Sequence, residues 1–337
     1  MELKALDSHY NVVAILYTNN VQWNRKYYAP GNFTVQIREK DFDPSMKYVY
    51  MTGRDDLGVI QKLENQVQAG KRYVLLSGLF SECELDDDIV DGTFYANGNI
   101  ETELKRMIST YLEEPSIIVD PSRNLGGKIE FQETGGELAK VSYERLKTQE
   151  LSLRLKFDLA TTKKHVEIWQ GKDRTQSQST ENFVVFNSEL IQDEKVIEDS
   201  SGEKNWAKIG GSGEGDKRIY TYLDLSDGQK KKKIFINGSS LSYDPEKQTL
   251  EQYKAELRQY GLEQMLKHKK IQDIQFNVVN TGSIEYLKDF DLGDKCDIVI
   301  EPLHIRLESR IIEIYEVFKD NLHQIRCEFG NKKLRRF

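Results

Sequence analysis

The chain has 337 residues, with 48 Lys and Arg against 55 Asp and Glu for a formal net charge of −7, and is 38% hydrophobic and 31% charged. Its length accommodates two or three domains. The acidic balance argues against a surface built to neutralise a phosphate backbone, and no apolar run reaches the length that crosses a bilayer.

The opening MELKALDSHY lacks the apolar core of a signal peptide, so synthesis in a reducing cytoplasm is expected. Cys83, Cys296 and Cys327 are odd in number, far apart and without CxxC spacing. They define neither a disulfide framework nor a zinc site.

Residues 1–98 read mostly as strands. VVAILY at 12–17 has the continuous apolar character of a buried strand. WNRKYYAPGNFTVQI at 23–37 follows: an aromatic run, a Pro30-Gly31 turn, then Phe33, Val35 and Ile37 alternating with polar residues. Both fit a small antiparallel barrel or sandwich. Further strands are expected at 48–51, 57–60 and 72–76. The carboxylates between Glu82 and Asp91 lack the alternation, central Gly and closing Glu of an EF-hand, so a solvated acidic loop is expected.

Asn99 caps a helix expected to reach Glu114, whose apolar face includes Ile100, Leu104, Met107 and Ile108. Residues 115–235 mix periods: a short strand at 117–119, a turn at 124–127, a helix and then a strand within 138–159, and a return strand ending at Trp169. A polar stretch follows Gly171, then a strand at 183–186, and the chain turns polar again from Glu189. The glycine run 210–215 lacks the Gly-Lys-Ser/Thr ending and following helix of a phosphate loop, and Arg218 to Leu225 looks like a strand instead. Lys230–Lys233 precedes the strand 234–236. As a DNA patch that run needs arginines and aromatics beside it, and a solvated role is expected.

Asp244 and Pro245 have the pattern of a helix cap and first turn, predicting a helix to about His268 with close packing or a bend at Gly261. Strands return from 271 to 329, with a turn at Gly293-Asp294 and a hairpin of 310–318 with 323–329. Lys332, Lys333, Arg335 and Arg336 end the chain as a basic tail. The resulting division is 1–98, 99–235, 236–270 and 271–337: two β-rich ends around a mixed centre and a connecting helix.

The sequence shows no catalytic pattern. Its five histidines are scattered singly, and HExxH and GxSxG are both absent. No catalytic, cofactor-binding or metal-ligating residue is assigned. The alternatives are a cell-wall-degrading enzyme acting through a carboxylate pair, or a carbohydrate-binding receptor module presenting Trp169 or Trp206 in a groove.

Four stretches in this order resemble the tail hub, or baseplate hub, proteins of siphophages of Gram-positive hosts, prophages and phage-tail-like bacteriocins. The first carries Trp23, Tyr27, Tyr28, Pro30, Gly31 and Phe33. The second is Asp55-Asp56-Leu57-Gly58-Val59-Ile60 with Ser77-Gly78. The third is Gly171, Lys172, Asp173, Arg174 and Thr175 with Val184-Val185-Phe186, and the fourth is Asp291-Leu292-Gly293-Asp294 ahead of Arg310-Ile311-Ile312-Glu313.

The resemblance implies a β-rich α+β protein with two tube-like antiparallel β-barrel modules and an inserted mixed α/β central region. It implies a homotrimeric ring of pseudo-sixfold symmetry, which adapts a six-fold tail tube to a three-fold tip. The implied partners are other copies of the chain, a tail tube or distal tail protein, and a tip, spike, fibre or tape-measure subunit. DNA would be only a passing cargo along an acidic wall. After synthesis in the host, the place implied is the virion tail or an extracellular tail-like particle. Many members continue into a lysin or fibre region, and the resemblance implies that this part is either missing here or supplied by another subunit.

Overall fold

The computed structural model describes residues 2–18, 20–178, 181–269, 271–278, 284–320, 322–330 and 335–336. Lys332 and Lys333 of the expected basic tail lie outside them. Residues Arg335–Arg336 add a short strand beside Ile305 and Arg306.

The fold is β-rich, and its largest element is a sheet to which both ends of the chain contribute. Eight strands follow one another edge to edge. Ile191–Asp199, Ile271–Val278, Leu322–Phe329 and Ile305–Lys319 form one half. Asn20–Lys26, Asn32–Arg38, Lys71–Leu79 and Lys62–Gln68 form the other. Every neighbouring pair is antiparallel. The halves meet where Ile314 pairs with Arg25 and Glu316 with Trp23.

Alternation decides what each half buries. Val21 and Trp23, with Phe33, Val35 and Ile37, point to one side, where a second sheet of Leu3–Leu6, Val12–Leu16, Tyr48–Met51 and Leu57–Val59 covers them. Trp23, Phe33 and Phe80 meet in this core, with ring centroids 4.7 to 6.4 Å apart. In the other half, Phe276, Ile314, Cys327 and Phe329 pack on Phe186, Cys296 and Ile298. The covering strands there are Val185–Phe186 and Lys295–Ile300.

Barrels were expected at both ends. Among the described residues no sheet closes on itself. Each end is an open sandwich: one edge of its half-sheet pairs with the other end, and the opposite edge, Lys62–Gln68 or Ile191–Asp199, pairs on one side only among the described residues.

Between the ends, α1 (Ile100–Tyr111) and α2 (Leu138–Lys147) pack on two small sheets through a core including Leu104, Met107, Leu146, Leu153 and Val166. Asn99 caps α1 as expected, accepting from the backbone N–H groups of Glu101 (3.0 Å) and Thr102 (3.3 Å). A second inserted unit packs α3 (Leu250–Leu266) on the three-stranded sheet of Tyr220–Asp224, Trp206–Gly210 and Lys233–Asn237. Gly261 is a close-packing point, since a Cβ there would lie 2.8 Å from Ile209.

Three further expectations change. The helix begins at Leu250, not after Asp244, because Thr249 and Gln252 make a reciprocal capping box; Asp244 closes only a turn. The polar stretch after Glu189 is the strand Ile191–Asp199, held by its neighbour rather than by an apolar face. The acidic segment is not wholly solvated. Ser81–Asp87 is a 3-10 turn in which Glu82 is buried and accepts from Leu155 N at 3.0 Å, and burial pushes its carboxyl up to about 7. In the same turn Glu84 pairs with buried Lys164, and Asp86 caps α2 by accepting from the N–H groups of Ala139 and Lys140.

Candidate functional site

The residues singled out in sequence fall into two groups in space, and the larger one lies at the joint between the ends. Tyr27 directly follows the strand Asn20–Lys26, and its N–H donates to Ile312 O at 2.8 Å. That bond extends the pairing by one residue, and alternation with Trp23 and Arg25 sends the ring inward. The ring is fully buried, edge-on to Trp169 with centroids 5.0 Å apart, and its hydroxyl donates to Glu150 O at 3.0 Å. Burial pushes the Tyr27 hydroxyl up to about 12. Tyr28 packs against it at 4.7 Å.

Against this aromatic corner come the two glycine stretches, which are about 120 residues apart in sequence. Gly293 has φ +81°, and a Cβ there would lie 2.6 Å from Tyr27 and 2.8 Å from Trp169. Gly171 lies so close to Gly293 that a Cβ on it would overlap the Gly293 carbonyl and Asp294 N. Two backbones approach here at a distance only glycine permits. Arg310 locks the contact by donating to Gly293 O at 2.5 Å and pairing with Glu150 at 3.2 Å.

Asp294 gathers the neighbouring loop. Its carboxylate accepts from Lys172 N (2.7 Å), Arg174 Nε (2.6 Å) and Asp291 N (3.1 Å). Its burial raises its pKa, while Arg174 and the backbone donors act in the opposite direction. Asp173 accepts from Thr175 N and Oγ1, and Lys295 bridges Asp173 (3.4 Å) to Glu308 (2.9 Å). Tyr27, Tyr28, Gly171, Asp173, Arg174, Thr175, Gly293 and Asp294 therefore belong to one joint. The second group, Trp23, Gly31 and Phe33, is the aromatic centre of the N-terminal sandwich, where a Cβ on Gly31 would overlap Phe80. Pro30 lies on the rim of a cleft of about 440 Å³, with Tyr28, Tyr143, Lys147 and Glu263 among its walls.

Beside the joint lies a set of charges not singled out in sequence. Arg25 pairs with Asp56 (3.1 Å) and Asp291 (2.5 Å) and donates to the Tyr286 hydroxyl at 3.0 Å. Arg54 Nη2 donates to both carboxylate oxygens of fully buried Glu316 (3.0 and 2.8 Å), and the guanidinium lies over the Tyr286 ring. His323 approaches Glu316 at 3.1 Å. A sequence signal was present: Arg25 shares parity with Trp23, and Glu316 with Ile314, so both charges sit at core positions of alternating strands. Buried charges at such positions require partners.

Chemically, this arrangement is a rigid weld. Burial pushes the thiols of Cys83, Cys296 and Cys327 upward, that of Cys83 to about 12. Among the described residues no group of three or more His, Cys, Asp or Glu is arranged to hold a metal ion. No described helix is long and apolar enough to cross a membrane.

The fold is shared with phage tail proteins. A tail protein from Neisseria meningitidis MC58 superposes with a TM-score of 0.61 at 13% identity, covering 98% of this chain and 96% of that one. The 43 kDa tail protein of prophage MuSo2 from Shewanella oneidensis gives 0.62 at 12%, with 98% of each chain covered. An E. coli type VI secretion component, described as structurally similar to the T4 tail proteins gp27 and gp5, gives 0.50 at 8%, covering all of this chain and 79% of that one. No curated protein matches the sequence. The family described as Siphovirus ReqiPepy6 Gp37-like protein matches residues 2–331, and the chain belongs to this family of siphovirus tail proteins.

Proposed function

We propose that this chain is the hub subunit of a siphophage-type tail: a homotrimer whose copies stand side by side around the channel and join tail tube to tip. The observation that carries the reading is the eight-stranded sheet. Among the described residues its terminal strands, Lys62–Gln68 and Ile191–Asp199, each pair on one side only. With eight strands alternating in direction, the first and last run oppositely. Rotation about an axis along the strands therefore brings Lys62–Gln68 of one copy against Ile191–Asp199 of the next as an antiparallel pair. An odd number of strands would make that junction parallel.

In this reading each end is a tube-like module, and three copies place six of them around the axis. The chain's own division into two ends and an inserted centre follows the same plan. The sheet face opposite the cores would line the channel. Gln22, Thr34, Gln36, Ser77, Gln66 and Gln324 lie on it, interleaved with charges of both signs. Amides and hydroxyls of this kind offer passing DNA no strong hold. The mechanism is assembly and passage, without turnover, with tail tube or distal tail protein on one side and tip, spike, fibre or tape-measure subunits on the other.

Native mass spectrometry and light scattering of the full chain test this. The expected mass is three times 39.1 kDa, and a Pro at Val67, whose N–H faces the open edge and not Lys71–Leu79, should shift the population to monomer. A stable wild-type monomer that joins neither tail tube nor baseplate proteins would remove the proposal.

A further inference from the structure

We infer that the inserted three-stranded sheet carries a binding face for an anionic polysaccharide, a role separate from ring assembly. One side of this sheet is spoken for: Ala207, Ile209 and Ile236 are buried against Tyr253 and Leu257 of α3. Alternation sends Trp206, Lys208, Tyr220, Tyr222 and Phe235 to the other side, and the register sets them next to one another, with Lys208 between Tyr222 and Phe235. Tyr222 is 55% exposed and Phe235 52%. Aromatics clustered in this way on an open face mark an interaction surface.

Cations are interleaved with the rings. Lys208 Nζ lies 4.2 Å from the Tyr220 centroid, Lys233 Nζ lies 5.3 Å from Trp206, and the Arg218 guanidinium lies 5.5 Å from Phe235. Between Glu203 and Lys233 there are eight Lys and Arg against five Asp and Glu, on a chain of net charge −7. Lys231 and Lys232 are neutralised by Asp224 (2.7 Å) and Glu203 (2.5 Å). Lys208 and Lys233 have no carboxylate within ion-pair distance among the described residues. The face is thus locally positive, which calls for a ligand carrying negative charge.

Dimensions and the spacing of the unpaired lysines narrow the class. Three strands of five residues span roughly 17 Å by 10 Å, far less than the ~800 Å² per partner of a stable protein interface, and suited to a few rings of a polymer. Asp224 stands opposite Trp206 on the same face, but its carboxylate is taken up by Lys231 and by Ser226 N and Oγ. Lys208 and Lys233 are too sparse for a phosphodiester strand that carries a charge on every residue, and they suit a glycan with spaced acidic groups. Sugar rings stacked on Trp206, Tyr222 and Phe235, with those acidic groups reaching Lys208 and Lys233, match the groups present.

Fluorescence titration of the full chain tests the inference. Trp206 is partly exposed, while Trp23 and Trp169 are buried, so quenching by an added polymer reports on this face. Polygalacturonate and hyaluronate are the probes, with dextran as the neutral glycan and a thymidine oligonucleotide as the nucleic acid. Saturable quenching by an anionic glycan is expected, weakened by salt and weakened about tenfold by Phe235→Ala or Lys208→Gln. Both variants change solvent-facing groups, and an unchanged circular dichroism spectrum checks that they fold. Four results would each overturn it: no quenching by either anionic glycan, equal quenching by dextran, quenching by the oligonucleotide alone, or variants that bind like wild type.

Discussion

The two β-rich ends solve the same packing problem with chain drawn from different distances. In the N-terminal sandwich both layers come from residues 3–79, so Trp23, Phe33 and Phe80 meet through consecutive hairpins. In the C-terminal sandwich Phe186, Phe276, Phe290 and Phe329 must be gathered across more than 140 residues, and one edge strand returns from the insertion. The insertion is therefore not a detachable ornament: it supplies Val185–Phe186 and Ile191–Asp199 to the end that follows it. What makes the unequal ends one body is their shared sheet, the glycine weld and the charge set around Glu316.

The strongest test of that unity is a matched pair of core truncations. Trp23→Ala and Phe276→Ala should each cost roughly 3–5 kcal/mol and still give one calorimetric transition in which both ends melt together. Two resolved transitions in either variant would break the comparison by making the ends independent. Next, Arg54→Met should cost about 3 kcal/mol in urea denaturation, because it leaves Glu316 buried with His323 alone. The double change Arg54→Met with Glu316→Leu should recover most of that loss; no recovery would mean that the pair does more than compensate its own burial.

Glu82 sharpens the comparison through pH, since it sits where the N-terminal sandwich meets the central strand Ser152–Asp158. Its folded pKa of about 7 lies above the ordinary 4.5. Its proton is therefore held more tightly by the folded chain, and the associated stability is complete below pH 4.5 and lost as pH rises to about 7. Relative to Glu82→Gln, wild type should lose up to about 3 kcal/mol across that window; parallel stability curves would refute the assignment. The smallest effect belongs to the inserted unit. Thr249→Ala should cost about 1 kcal/mol and Asp244→Ala under about 0.5 kcal/mol, measured by thermal unfolding, and the reverse order would restore the earlier helix start.

Much of this architecture was legible in the residues. Phe33, Val35 and Ile37 alternate because one face of their strand is buried, and Asn99 announces α1 because few residue types cap a helix. The strand Ile191–Asp199 was hidden because an edge strand with mostly exposed side chains has no apolar period to read. Asp244-Pro245 misled because a turn and a helix start use the same residues, and only the Thr249–Gln252 reciprocity separates them. Gly171, Gly293 and Asp294 stood out in sequence as punctuation, but that they meet under Tyr27 is a tertiary fact with no local trace. Glu82 was read with its solvated neighbours, because charge runs do not reveal which member turns inward.

The fifteen-residue strand Ile305–Lys319 pairs with Lys295–Ile300 along its first part and with Asn20–Lys26 along its last. The strand already carries one irregularity, between Ile311 and Glu313, and a single residue added or removed just after it would swap inside and outside for everything beyond, moving Glu316 into solvent and Tyr315 into the core. Its length is thus a fixed measure, like the pitch of a gear. Drift in size among descendants of this chain should collect in the loops that feed it, never within it.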